Sequence, residues 1–102
     1  MRVSFVAEAE RELVDAADWY FFQRPGLDLE FLGEVNSVIE RIKDNPALFP
    51  VVKGSVRRAV VSRFPYLVLF RLLQDSIQVI AIFHAKRNPR AWLKRSQKEG
   101  NP

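Results

Sequence analysis

The residues able to do chemistry crowd into the second half of the chain. His84 is the one histidine, and Lys86, Arg87 and Arg90 follow it closely, while Arg57, Arg58 and Arg63 lie upstream. An imidazole among cations is part of what metal-free RNA cleavage needs. That reaction takes a base for the 2′-hydroxyl, an acid for the leaving oxygen and cations for the phosphorane. The cations are at hand in Arg63, Lys86, Arg87 and Arg90; the acid/base pair is not. A single histidine excludes a two-histidine scheme, and residues 52–102 hold only Asp75 and Glu99 as carboxylates, too few for a two-metal cluster. If the chain is a nuclease, His84, Arg63 and Arg87 are the residues to carry it. Otherwise no catalytic residue is assigned, and neither a metal nor a cofactor is expected. The plainer reading of His84 is a packed or hydrogen-bonded imidazole at a strand end. Arg57 and Arg58 project to opposite faces of one strand, so a given groove takes only one of them.

Those residues sit on a stretch that reads as an antiparallel meander, Val56 to Trp92. Its first strand is expected over about Val56 to Arg63, its second over Leu67 to Leu73 and its third over Ile77 to Ala85. Phe64-Pro65 separates the first two, because proline cannot donate to an interior ladder. Gln74-Asp75-Ser76 makes the short turn before the third. Upstream, Arg2 to Val6 alternates as a strand. Glu8 to Gln23 has helical periodicity in Leu13, Ala16, Ala17, Tyr20 and Phe21, with Glu8, Glu10 and Glu12 at its positive end. Arg24-Pro25-Gly26 breaks it. A second helix is expected from Asp28, read as its N-cap, to Lys43, with Phe31, Val35, Val38, Ile39 and Ile42 inward. Gly33 inside it suggests a close helix crossing. Asn45-Pro46 ends it, Asn45 serving as a left-handed cap. Residues 47–55 read as a linker in which Leu48 and Phe49 tuck under the helices. Trp19 and Tyr20 read as core, Tyr66 as structural. The fold class is therefore α+β: an N-terminal strand, an antiparallel two-helix hairpin, a three-stranded antiparallel meander (β-α-α-β-β-β) and a short basic C-terminal tail.

Composition bounds the rest. At 102 residues the chain is expected to be one domain, 1–102. It has no cysteine, which excludes disulfides and thiolate metal sites. No apolar run has the length of a membrane span and the N-terminus lacks a signal-type apolar segment, so a cytoplasmic protein is expected. Residues 1–51 hold five Lys/Arg against ten Asp/Glu, a net of −5. Residues 52–102 hold eleven against two, a net of +9. One basic side on a polar molecule is the footprint of an acidic macromolecular partner.

The sheet carries more apolar surface than one helix pair covers. In alternation, Leu67, Leu69, Arg71 and Leu73 share a face of the second strand, and Gln78, Ile80, Ile82 and His84 share a face of the third. Either the tail around Trp92 folds across this face or another chain does.

Taken in order, these segments resemble the RelE/ParE superfamily of toxins from type II toxin–antitoxin systems, and the ParE-like, plasmid-stabilisation branch most. The resemblance runs from Val3 to Trp92. It rests on Ala9-Glu10 with Leu13 and Trp19-Tyr20; Arg24-Pro25-Gly26-Leu27; Asn45-Pro46 with Phe49-Pro50; Arg57-Arg58 with Phe64-Pro65-Tyr66; and Phe83-His84 with Arg87, Pro89 and Trp92. It implies a cytoplasmic toxin held inactive by a co-expressed antitoxin. ParE toxins are associated with poisoning DNA gyrase; RelE toxins cleave mRNA in the ribosome. RelE-like nucleases use a C-terminal Tyr or a His-Tyr pair, and this tail has no Tyr after Tyr66. The favoured expectation is gyrase inhibition by protein binding through Arg63, Lys86, Arg87, Arg90 and Trp92. Ribosome-dependent mRNA cleavage is the alternative, and an inert member that only binds antitoxin is the third. The antitoxin is expected on Leu67, Leu69, Arg71, Ile80 and Ile82.

Overall fold

The computed structural model describes residues 1–99, with side chains through Arg95. Strand β1 (Arg2–Phe5) leads into helices α1 (Ala7–Gln23) and α2 (Leu27–Asp44). A 3-10 turn, Pro46–Leu48, precedes strands β2 (Val51–Lys53), β3 (Val56–Val60), β4 (Tyr66–Leu72) and β5 (Ser76–His84), and helix α3 (Arg90–Glu99) follows. The helical hairpin and the meander are where the sequence puts them. The sheet is not purely antiparallel, however: β1 inserts beside β5 in parallel, giving the mixed order β1-β5-β4-β3-β2. The expected linker supplies a fifth strand, β2, and the basic tail is a helix.

Local chemistry explains the corrected boundaries. Gly26, at φ 99°, is the N-cap residue of α2, in a left-handed conformation that glycine adopts without steric cost. Asp28 lies inside the helix and accepts the Gly26 amide at 3.0 Å, so it satisfies the cap from within. Asn45 is extended, at φ −159°, and makes no left-handed cap. A Cβ on Gly33 would meet nothing within 4 Å, so no close helix crossing exists there. β3 stops at Val60, three residues short of Arg63, which itself turns the chain at φ 73°.

The helix hairpin roofs one face of the sheet. Phe31, Val35, Val38 and Ile42 of α2 and Ala9, Ala16, Ala17 and Tyr20 of α1 close on Val68, Phe70, Ile77, Val79 and Ile82. Phe49 joins at the margin, its ring 5.8 Å from that of Phe70, whereas Leu48 is exposed. Phe21, expected on the apolar face of α1, and Trp19, expected in the core, are exposed as well. The opposite sheet face holds Val56, Leu69, Ile80, Ala81 and Phe83, and α3 lays Trp92 across it.

Simple alternation along β5 fails because of a bulge. Leu69 pairs with Ala81 but Phe70 pairs with Val79, which leaves Ile80 as an extra residue. A bulge reverses the phase of side chains beyond it. Ile82 therefore faces the helices, and Ala81 and Phe83 join Ile80 on the tail side.

Candidate functional site

The β4–β5 ladder places Tyr66, the first residue of β4, opposite His84, the last residue of β5. Pro65 does not interrupt this end, since its carbonyl accepts the Ala85 amide at 2.8 Å and no donor is required of it. The two rings meet edge to face, 5.1 Å apart at 77°. The Lys86 amide donates to His84 Nδ1 at 3.1 Å, which leaves the neutral imidazole's proton on Nε2. Arg87 closes the same turn, donating its amide to the His84 carbonyl at 3.0 Å. Its guanidinium lies 5.3 Å from the Phe83 ring centre and 3.7 Å from the Glu12 carboxylate. Helix α1 supplies the facing wall with Glu12, Asp15, Trp19 and Tyr20. Together these residues line a groove of about 510 Å³.

Burial pushes the Tyr66 phenol up from its ordinary value; Arg87 opposes this and Glu12 adds to it. Tyr20 moves the same way, through burial first and Tyr66 second. Tyr66 therefore keeps its proton at neutral pH. It is a hydrogen-bond donor or a proton source, not a base. The groove presents a phenol, an imidazole N–H and a guanidinium to whatever enters.

Glu12 is committed at the groove's floor. One carboxylate oxygen accepts the Ile82 amide at 3.1 Å and Arg95 Nη1 at 2.8 Å, and the other accepts Arg95 Nη2 at 2.8 Å. Arg95 Nη1 also donates to the Ile80 carbonyl at 2.9 Å. These groups belong to the stretch of β5 beyond its last β1 pair, Phe5 with Val79. The ion pair thus satisfies a strand edge that no strand covers, and it fastens α3 to α1. The bidentate bond to Glu12 raises the Arg95 guanidinium above its usual value.

The expected site residues divide. His84 and Arg87 come together, and Tyr66 joins them. Arg63 does not line this groove. It pairs with Glu30 at 2.6 Å and Glu34 at 3.3 Å on α2, so the trio His84, Arg63 and Arg87 is not assembled. Lys86 and Arg87 are exposed on the turn between β5 and α3, and Arg90 is exposed as the first residue of α3. Trp92 is buried at 7% exposure among Leu69, Ile80 and Phe83, where it lids the sheet and offers little surface. Of the residues expected to meet an antitoxin, Leu67 is half-buried, while Leu69, Arg71 and Ile80 are buried within this chain. Ile82 points to the other face altogether. Their apolar surplus is met by α3. Arg71 donates Nε to Gln78 at 3.1 Å. Among the described residues, no group of three or more His, Asp or Glu could hold a metal ion; the Glu99 side chain lies outside them.

Sequence reasoning missed Tyr66 and Glu12. The turn at Gln74-Asp75-Ser76 carried a signal for the first, because counting outward from it brings Tyr66 to His84 within one residue. Glu12 gave none; it looked like another helix-dipole acid.

A model of the family described as ParE toxin of type II toxin–antitoxin system, parDE, matches residues 3–89. Among solved structures, a chain described as the chromosomal ParDE TA system from P. aeruginosa superposes with a TM-score of 0.74. It is 19% identical, over 84% of this chain and 97% of that one, which makes it a relative in fold. No curated protein matches the sequence.

Proposed function

This chain belongs to the ParE toxin family of type II toxin–antitoxin systems, and from that premise we propose that it stops growth by binding DNA gyrase and is neutralised by a co-expressed antitoxin. The observation that carries the target reading is the exposed basic cluster of Lys86 and Arg87 on the turn and Arg90 at the start of α3, within the half of the chain with net charge +9. A concentrated positive cluster steers and orients an acidic macromolecular partner. Arg63 and Trp92 leave this contact set, one drawn to α2 and the other buried. Binding alone suffices for inhibition, so the chain makes and breaks no bonds. A chain that binds gyrase would act in the cytoplasm; among the described residues no helix is long and apolar enough to cross a membrane.

The test is a supercoiling assay with purified gyrase, beside growth of cells expressing the chain alone and with its antitoxin. Supercoiling should fall with added chain, and the double variant Lys86→Glu, Arg90→Glu should lose inhibition while its melting temperature stays near the parent's. Undisturbed supercoiling in cells whose growth has stopped would end the gyrase reading.

One observation favours a second reading, ribosome-dependent mRNA cleavage. The Tyr66–His84 contact at 5.1 Å beside Arg87 supplies the His-Tyr pair that the tail lacks. Tyr66, protonated, would serve as acid, and His84 as base only in the tautomer that gives up the Lys86 amide bond, with its proton on Nδ1 and the Nε2 lone pair free. Mapped mRNA cleavage that disappears in both Tyr66→Phe and His84→Ala would establish this reading; intact mRNA in arrested cells would remove it.

A further inference from the structure

Helix α1 turns Ala9, Ala16, Ala17 and Tyr20 to the core, yet its outer side is not the polar face usual for a surface helix. Val14 is 54% exposed, Phe21 44% and Phe22 80%. The two phenyl rings meet edge to face, 5.6 Å apart. Arg11, Val14, Asp18 and Phe21 follow one another at steps of three, four and three. They therefore share one stripe of the helix, with Phe22 beside its end. Large apolar side chains gathered on an exposed stripe mark an interaction surface.

The charges on the stripe select the partner. Arg11 and Asp18 are both exposed, and among the described residues neither side chain makes an ion pair or a hydrogen bond. A cation and an anion thus flank an apolar centre at Val14, and such a stripe is its own complement when reversed. A two-fold axis asks for that property, because residue i meets j while j meets i. An antiparallel contact between two α1 helices, centred between Val14 and Asp15, sets Arg11 of each copy against Asp18 of the other. The Phe21–Phe22 end of each helix then lies over the first turn of the other. Glu8 and Glu10 in that turn are kept apart from their counterparts, and opposite ends of the helix dipoles come together. An acidic macromolecule of the kind the basic cluster attracts is disfavoured here, since α1 carries five acids against one base.

We propose that the outer stripe of α1 is a homodimer surface, and that its occupant is α1 of a second copy of this chain. Phe21, Phe22 and Val14 supply the apolar area; Arg11 and Asp18 fix the antiparallel direction. The contact is small, under about 1,200 Å² in total, so the dimer is weak and forms with rising concentration. It depends on neither the gyrase nor the antitoxin reading. Lys86, Arg87 and Arg90 lie outside the stripe, so the dimer presents the basic cluster twice.

The experiment is sedimentation equilibrium on the full chain without antitoxin, from roughly 1 µM to 1 mM, with thermal melts to show that each variant folds. The parent should pass from monomer to dimer across this range. Arg11→Asp alone and Asp18→Arg alone should each weaken the dimer at least about tenfold, because each sets like charges together at both ends of the contact. An equimolar mixture of the two variants should dimerise again, since one helix is then acidic at both positions and the other basic at both. Phe22→Ser should weaken the dimer while its melting temperature stays near the parent's, the ring being 80% exposed. A parent that stays monomeric at the top of the range, a dimer indifferent to both charge reversals, or a mixture no tighter than its components overturns the proposal. So does a monomeric chain whose Phe22→Ser variant no longer binds the co-expressed antitoxin, which would make the antitoxin the occupant.

Discussion

One face of the sheet is roofed by helices of 17 and 18 residues, the other by a helix of 10, and different physics holds the two roofs on. Under the long hairpin, Tyr20, Phe31, Phe64 and Tyr66 form a continuous aromatic cluster with ring centres 4.9–6.3 Å apart. That interface is wide and needs no polar fastening at its centre. The charges at its rim are an exposed Arg63 with the half-buried Glu30 and Glu34. Under α3 the apolar area is small, one tryptophan and its neighbours. Here the ion pair is sheltered, with Glu12 at 16% and Arg95 at 14% side-chain exposure, and it also caps a bare strand edge. Charge is ornamental where the apolar roof is broad and structural where it is narrow.

The largest effects should separate the two roofs. Phe31→Ala is expected to cost about 3–5 kcal/mol, the usual range for emptying a buried aromatic site. In urea melts read by hydrogen exchange, α1, α2 and the sheet should lose stability together. Trp92→Ala removes a comparable side chain, yet α3 can lift away alone. Its amides should lose protection first while global stability falls less than in Phe31→Ala. Equal global losses would show that α3 belongs to the same cooperative unit as the hairpin.

Next comes the fastening of the narrow roof. Glu12→Ala strands the Arg95 guanidinium and the Ile82 amide, and should cost about 2–4 kcal/mol, discounted from a fully buried pair for partial exposure. Glu12→Gln should recover part of this, since an amide oxygen still accepts the Ile82 N–H. Chemical denaturation of the three proteins checks both, and no loss in Glu12→Ala would reduce the pair to a surface contact.

Gly33→Ala tests the broad roof from outside. Nothing stands within 4 Å of the added methyl, so the helix-propensity gain should appear undiminished, about 0.5–1 kcal/mol of stabilisation in a thermal melt.

The rim charges should matter least. Arg63→Ala should change the melting temperature slightly, and high salt should erase the difference. Arg63→Gly should be the more stable of the two, because φ 73° is left-handed and suits glycine. Hydrogen bonds from Arg63 and Arg24 hold the Glu30 carboxyl below its usual 4.5. Its folded value is thus below its unfolded one. Whatever stability it adds is present above the unfolded value and is lost as the pH falls through the folded one. An NMR titration should find Glu30 low in the parent and restored toward 4.5 in Arg63→Ala.

Local pattern determined much of this molecule. The periodicity of Ala16, Ala17 and Tyr20 made α1, that of Phe31, Val35, Ile39 and Ile42 made α2, and Arg24-Pro25-Gly26 made the break between them. β-branched runs around the turn at Gln74-Asp75-Ser76 made the meander, and the order of these segments pointed to the family. Each of those is settled by neighbours within a few residues. What tertiary structure alone decided depends on pairing between distant segments. The parallel seat of β1 beside β5 has no local signal, since Arg2 to Phe5 would alternate the same way in either direction. The bulge at Ile80 inverted the faces of Ala81, Ile82 and Phe83, because strand phase follows the hydrogen-bond ladder and not the residue count. Trp92 became a lid because it had a bare apolar face to cover, and Arg95 held it there only because α1 brought Glu12 to the same strand edge. The Tyr66–His84 contact lies between the two: counting from the Gln74-Asp75-Ser76 turn comes within one residue of it, and the bulge between Leu69 and Phe70 sets the final register.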